Sequence, residues 1–174
     1  MQKQIKVLLT LLITLFLAVS CSKDNVTNPI KTKEEILQQK WEYANYAGSG
    51  YNITADKVDS FYTDSTDNQE KIGYSVAIKE IVWNADNTSG MIYGQYTSHS
   101  DTTLVNKYYA IAFKDLTETT IDICGASKQI GTDPSTGWGI FDSSAESLEE
   151  AKTKFTEANG YIIFDEGTKC KVVK

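Results

Sequence analysis

The chain contains no arginine, two prolines and a single histidine, His99. Without a guanidinium the rigid fork that grips phosphate, carboxylate or guanine in two-pronged fashion is missing. Acids outnumber bases, 23 Asp and Glu against 17 Lys, and the net charge is -6. Such a surface repels phosphate backbones, so nucleic acid is excluded as a partner. One histidine with three cysteines, Cys21, Cys124 and Cys170, spread along the chain gives no zinc spacing. His99 lies in "SHSD", with no nucleophile elbow and no second histidine to build a catalytic set. A non-catalytic protein with no cofactor and no metal is expected. The stretch "NADNTSG" (84–90) echoes a calcium loop but has too few carboxylates, and a hairpin turn accounts for every residue in it.

A long apolar run is missing too. "VLLTLLITLFLAV" (7–19) is thirteen residues, bounded by Lys6 and by "SCSKDN". A membrane-spanning helix needs about 20 predominantly apolar residues. Basic Lys3 and Lys6, a short greasy core and small Ser20 instead make a secretory signal peptide over residues 1–20. Its removal takes away two lysines and no acid, which moves the net charge from -6 to -8.

Leu17, Ala18, Val19, Ser20 and Cys21 resemble the lipobox of bacterial lipoproteins. The resemblance implies that the Cys21 sulfur carries a diacylglyceryl group and that Cys21 becomes an acylated N-terminus. Two or more acyl chains, each methylene worth about 0.8 kcal/mol, hold a protein firmly on a membrane. Ser22 follows the cysteine where an Asp would imply inner-membrane retention, so the expected address is the cell envelope, at the outer membrane. Residues 21–33, polar and containing Pro29, form a lipidated flexible tether.

Residues 34–174 then supply one domain, of a size that buries about two-thirds of its unfolded surface. Thr32 and Glu35 have capping-box spacing for a short helical turn through Leu37. Strands follow. "YNITADKVDSFYT" is β-branched and aromatic; in "KIGYSVAIKEIVWN" the apolar parity switches near Lys79 and Glu80, which predicts a β-bulge. Gly94 inside "MIYGQYTS" marks a sharp bend or a close backbone approach. "NKYYAIAFKDLTETTIDIC" is a hairpin in which Tyr109, Ile111 and Phe113 alternate with Ala110 and Ala112. Ser147 and Glu150 open a helix whose Leu148, Ala151, Phe155 and Ala158 share a face and which Asn159-Gly160 ends. "YIIF" and "CKVVK" read as two closing strands.

The expected fold class is mainly β: an antiparallel, strongly curved sheet or small barrel with one late α-helix. The "LQQKWEY" opening, the "FKDLTETTIDI" hairpin and the helix before the last strands resemble lipid-anchored, lipocalin-like proteins. Lipocalins carry G-x-W where this chain has Gln39-Lys40-Trp41, and the resemblance implies a basic residue over Trp41, either Lys171 or Lys174.

Aromatics are plentiful, with ten Tyr, six Phe and three Trp. Tyr93, Tyr96, Tyr108 and Tyr109 are candidates to line a ligand-binding lumen or to fill it. Trp138, between Gly137 and Gly139, is either a ring exposed at a binding rim or one that packs the late helix onto the sheet. Cys124 and Cys170 are a candidate disulfide in an oxidising compartment, with two buried free thiols as the alternative. The functional expectation is a monomeric, membrane-anchored binding module for a small apolar or amphipathic ligand or a protein partner. The alternative is a structural surface lipoprotein whose barrel is filled and whose loops make the contacts, and an enzyme comes third.

Overall fold

The computed structural model describes residues 30–173. The signal segment, Cys21 and the tether up to residue 29 lie outside the described residues, as does Lys174. In chain order the elements are α1 (Lys33–Leu37), β1 (Lys40–Tyr43), β2 (Ser49–Ile53), β3 (Lys57–Thr63), β4 (Glu70–Trp83), β5 (Gly90–His99), a 3-10 turn (Thr102–Leu104), β6 (Tyr108–Lys114), β7 (Thr120–Gly125), β8 (Lys128–Thr132), β9 (Gly139–Asp142), α2 (Leu148–Lys154) and β10 (Lys169–Val172). Eight strands close into an antiparallel barrel in the order β1-β10-β7-β6-β5-β4-β3-β2, and β8 pairs only with β9 as a separate hairpin. This is the architecture of a small lipocalin-like barrel. Each barrel strand but β10 neighbours its predecessor in sequence, and β10 returns after the β8–β9 hairpin and α2 to seal the wall against β1.

Closure depends on bends at defined places. The parity switch at Lys79 is a bulge, since Ile78 pairs with Gly94 and Glu80 with Tyr93, leaving Lys79 unpaired. Two further shifts lie at Ser75/Val76 against β5 and at Ser60/Phe61 against β4. Bulges raise local twist and coil the wall, which lets a sheet of long strands meet itself. Gly94 marks a close approach of β5 to β4: a Cβ there would lie 2.3 Å from Val76 Cγ1 and 2.6 Å from the Ala77 carbonyl oxygen.

α1 plugs one end of the barrel. Its capping box is complete, with Thr32 Oγ1 accepting from Glu35 N–H and Glu35 accepting from Thr32 N–H. Buried Leu37 then hands the chain to Trp41, which is fully buried and donates its indole N–H to the Leu37 carbonyl at 2.9 Å. Gln39 reaches Glu118 in the β6–β7 turn, and Lys33 reaches Asn87 in the β4–β5 turn, so turns from the same end hold the plug. Lys171 does not pack over Trp41: Trp41 pairs with Val172, which puts Lys171 on the opposite face, where it meets Glu42 at 3.7 Å. Lys33 lies over the Trp83 ring, and Lys40 over the Phe61 ring.

On the outside, α2 lies across β5 and β6. Ser147 caps it, accepting from Glu150 N–H at 3.2 Å, while the Glu150 carboxylate accepts from Glu146 rather than from Ser147. The helix stops at Lys154, four residues short of the expected Ala158. Asn159 ends it by donating to the carbonyls of Thr153 and Lys154, and Ala158 is exposed. The face of Ala151 and Phe155 is buried where the helix lies on β5 and β6, and the small outward residues of β6, Ala110 and Ala112, are buried as well. "YIIF" (161–164) is not a strand. It runs as an irregular strap toward β10, tacked to β7 where Cys124 Sγ bonds the Ile163 carbonyl at 3.3 Å.

Candidate functional site

The strand register divides the tyrosines. Tyr109, Ile111 and Phe113 pair with Gly94, Ile92 and Gly90, and this inward set continues to Tyr96 and, across β4, to Tyr74 and Val76. Tyr96 and Tyr109 therefore belong to the lumen. Tyr93 pairs with Ala110 on the opposite face, beneath α2, and Tyr108 bridges Ala145 on the same outer side. Only two of the four candidate tyrosines share the interior, because a one-residue step along a strand exchanges its faces.

Inside, Tyr96 and Tyr109 join Tyr74, Tyr51 and Tyr43. Tyr74 stands edge-on to both Tyr96 and Tyr109 with centroids 5.6 Å apart, Tyr96 stacks on Tyr109 at 4.8 Å, and Tyr43 meets Tyr51 at 5.8 Å. The Tyr74 hydroxyl is 3.4 Å from those of Tyr51 and Tyr109. Gly125 leaves the room they need, since a Cβ there would fall 2.2 Å from the Tyr109 oxygen. The rings fill this part of the lumen by touching one another. Burial holds all five phenols above their ordinary value, so they are neutral hydrogen-bonding groups rather than titrating ones.

His99 ends β5 at the mouth opposite α1. Its ring lies 5.2 Å from Tyr96 and 6.0 Å from Tyr74, and Nδ1 accepts from Asp101 N–H at 2.9 Å. The Asp101 carboxylate is committed to Thr103, whose N–H and hydroxyl both donate to it. The "SHSD" residues thus form a turn resting on the tyrosine cluster. In "NADNTSG" the Asp86 carboxylate accepts from the N–H groups of Thr88 and Ser89 and from the Ser89 hydroxyl, which commits its oxygens to the hairpin turn.

The candidate disulfide is not formed. Cys170 pairs with Ile121 and Tyr43 on the inward face, whereas Cys124 pairs with Ala112 on the outer one. Both are buried free thiols. Alternation across β7 points them to opposite sides of the wall, and burial pushes the Cys170 thiol up to about 12.

Two exterior features were missed or left open by the sequence. The first is a crease of about 330 Å³ between the β5–β6 wall and the start of the strap, with Met91, Ala112, Phe155 and Phe164 as apolar lining and Lys114 and Glu157 at its polar margin. The Lys114 ammonium sits over the Phe164 ring at 4.6 Å. A signal for it existed: Ala110 and Ala112, small apolar residues on the outward parity of β6, need a cover that solvent does not give. The second is the β8–β9 hairpin. Trp138 neither packs α2 nor touches the lumen; it is 77% exposed at the hairpin, beside Gly137 at φ +73°. α2 is held by Phe155 and Ala151 instead, and the base of the hairpin by Asp142, which binds Lys154 at 2.8 Å and the Tyr161 hydroxyl at 2.6 Å.

No protein-family model, no curated protein and no solved structure matches this chain.

Proposed function

We propose that the protein is a lipid-anchored cell-envelope lipoprotein, held through Cys21 at the outer membrane, that works without catalysis by binding on the outside of its barrel. The observation that carries this reading is the division of aromatic surface. The inward tyrosines satisfy one another, while the crease at Met91 and Phe164 and the hairpin at Trp138 and Phe141 leave apolar area open. Binding sites of small ligands are commonly about 300 to 1,000 Å³ and mostly apolar with a few polar groups, and the crease lies at the small end of that range. A protein partner is favoured by the hairpin, because exposed aromatic residues are common anchors of interfaces.

Two measurements test it. Cys21→Ser in the full chain should abolish acyl labelling and move the protein out of the detergent phase. An apolar anion, anilinonaphthalene sulfonate, should bind the wild type and be displaced by Ala112→Trp, which fills the crease, but not by Tyr74→Phe in the lumen. The opposite pattern would place binding inside and reject the outer-surface reading.

A further inference from the structure

The wall is irregular at the rim opposite α1, where β3 and β5 end beside the start of β4. Ser60 pairs with Tyr74 and Phe61 with Ile72, which leaves Gly73 as an extra residue against β3; Ser75 pairs with Ser98 and Val76 with Tyr96, which leaves Thr97 as one against β4. Bulges collect at barrel rims and beside functional sites, where they re-aim side chains. An open cavity of about 350 Å³ lies at this corner, lined by Tyr62, Ile72, Gly73, Ser98, His99 and Ser100, and it shares no residue with the crease.

Its lining joins an apolar face to neutral hydrogen-bonding groups. Tyr62 and Ile72 are 43 and 49% exposed. Gly73 leaves the near side of the Tyr62 ring bare, since a Cβ there would lie against it, 3.7 Å from Cδ1. The Thr97 hydroxyl is committed to the Ser75 carbonyl and His99 Nδ1 to the Asp101 N–H, but the hydroxyls of Tyr62, Ser98 and Ser100 have no protein partner among the described residues. A neutral imidazole that accepts at Nδ1 carries its proton on Nε2, which adds a donor. No lining side chain is a carboxylate or an amine. The charges nearby are engaged elsewhere, Lys71 with Asp64 and Asp67, and Asp101 with Thr103.

We propose that this rim cavity binds a neutral sugar, either a monosaccharide or the end of a glycan chain. A pyranose ring presents polarised C–H groups that rest on the electron-rich face of an aromatic ring. Its hydroxyls each donate and accept, as do those of serine and tyrosine. A purely apolar ligand would strip water from Ser98, Ser100 and His99 and replace none of their hydrogen bonds. An anion would find no free ammonium and would face the acidic net charge of the chain. A cation would find no free carboxylate. The volume, near the small end for ligand sites, suits a small sugar. The site adds a polar ligand to the apolar or amphipathic one expected from sequence, and it stands or falls independently of the crease.

The test is saturation-transfer NMR on the full chain in a sugar-free polyoxyethylene detergent, with glucose, galactose and mannose at about 10 mM, which detects millimolar binding. At least one hexose should receive magnetisation from the protein. Tyr62→Ala and Gly73→Leu should each weaken that binding about tenfold or more. The first removes an exposed ring and the second adds a side chain whose Cβ makes only ordinary contacts, so both keep the fold, which β circular dichroism checks. Trp138→Ala should leave binding unchanged. The uronate of the bound hexose should bind about tenfold or more weaker than the hexose. Absence of transfer to all of these hexoses, binding indifferent to Tyr62→Ala, or a preference for the uronate would each overturn the proposal.

Discussion

The lumen and the β8–β9 hairpin put large aromatic and apolar side chains to opposite uses. In the lumen, Tyr96, Tyr109 and Tyr74 face one another across converging strands, and each ring removes its neighbours from water. On the hairpin, Trp138, Ile140 and Phe141 project from two strands that have no sheet behind them. Composition is not what separates the two regions; wall curvature is. A closed sheet brings alternate side chains together in one interior, whereas a lone pair of strands leaves both faces open. Aromatic residues therefore stabilise the first region and equip the second for contact.

The sharpest way to break this contrast is alkali. Burial raises the folded-state values of the five luminal phenols above the ordinary value of about 10, so they hold their protons in the folded protein and release them on unfolding. Their contribution is fully present below pH ~10 and is lost as pH rises, by about 1.4 kcal/mol per pH unit for each phenol. The barrel should unfold cooperatively within one to two pH units above that point, about enough for a domain of ordinary stability. Phenolate absorbance should appear in step with loss of β circular dichroism. A smooth titration of all ten tyrosines with the fold intact would mean that the cluster is wet.

Next in size is Trp41→Ala, which empties the plugged end and orphans the Leu37 carbonyl. A loss of about 3 to 5 kcal/mol is expected from denaturant unfolding with an unchanged slope. A cost under about 1 kcal/mol would show that α1 does not seal the barrel. Smaller again is Ser147→Ala, which removes the cap of the helix whose last residue, Lys154, pins the hairpin base; about 1 kcal/mol is expected. Trp138→Ala should come last, within about 0.5 kcal/mol of the wild type, because the ring has no packing to lose. A loss above about 2 kcal/mol would place that ring in the core and erase the comparison.

Much of the wall was legible because its signals are local. The Thr32–Glu35 box, the bulge at Lys79, the close approach at Gly94 and the β6–β7 hairpin each follow from a few adjacent residues and the period of two. The hairpin of β8 and β9 was not legible. Its exposed residues, Ile130, Ile140 and Phe141, lack the alternation of a half-buried strand, and "KQIGTDPSTGWGIFD" reads as turn chemistry throughout. "YIIF" failed in the other direction: four apolar residues look like a strand, yet the barrel is already full at eight, so they run as a strap held by Cys124 and by burial of Ile162. Which of Tyr93, Tyr96, Tyr108 and Tyr109 faces inward depends on pairing register, a property of two strands that neither strand states alone. The face on which each thiol lies is hidden for the same reason.

The pairing of β1 with β10 sets a timetable for folding. Trp41 lies against Val172 and Tyr43 against Cys170, so the first strand and the last form one seam. Hairpins such as β6–β7 can form as soon as their own residues are available, but this seam joins the most distant parts of the domain and carries the largest loop-closure entropy. Until it forms, β1 and β10 are open edges on an otherwise rolled sheet, and Trp41 has only half its wall. Chaperone dependence and aggregation during biogenesis should therefore concentrate at those two strands.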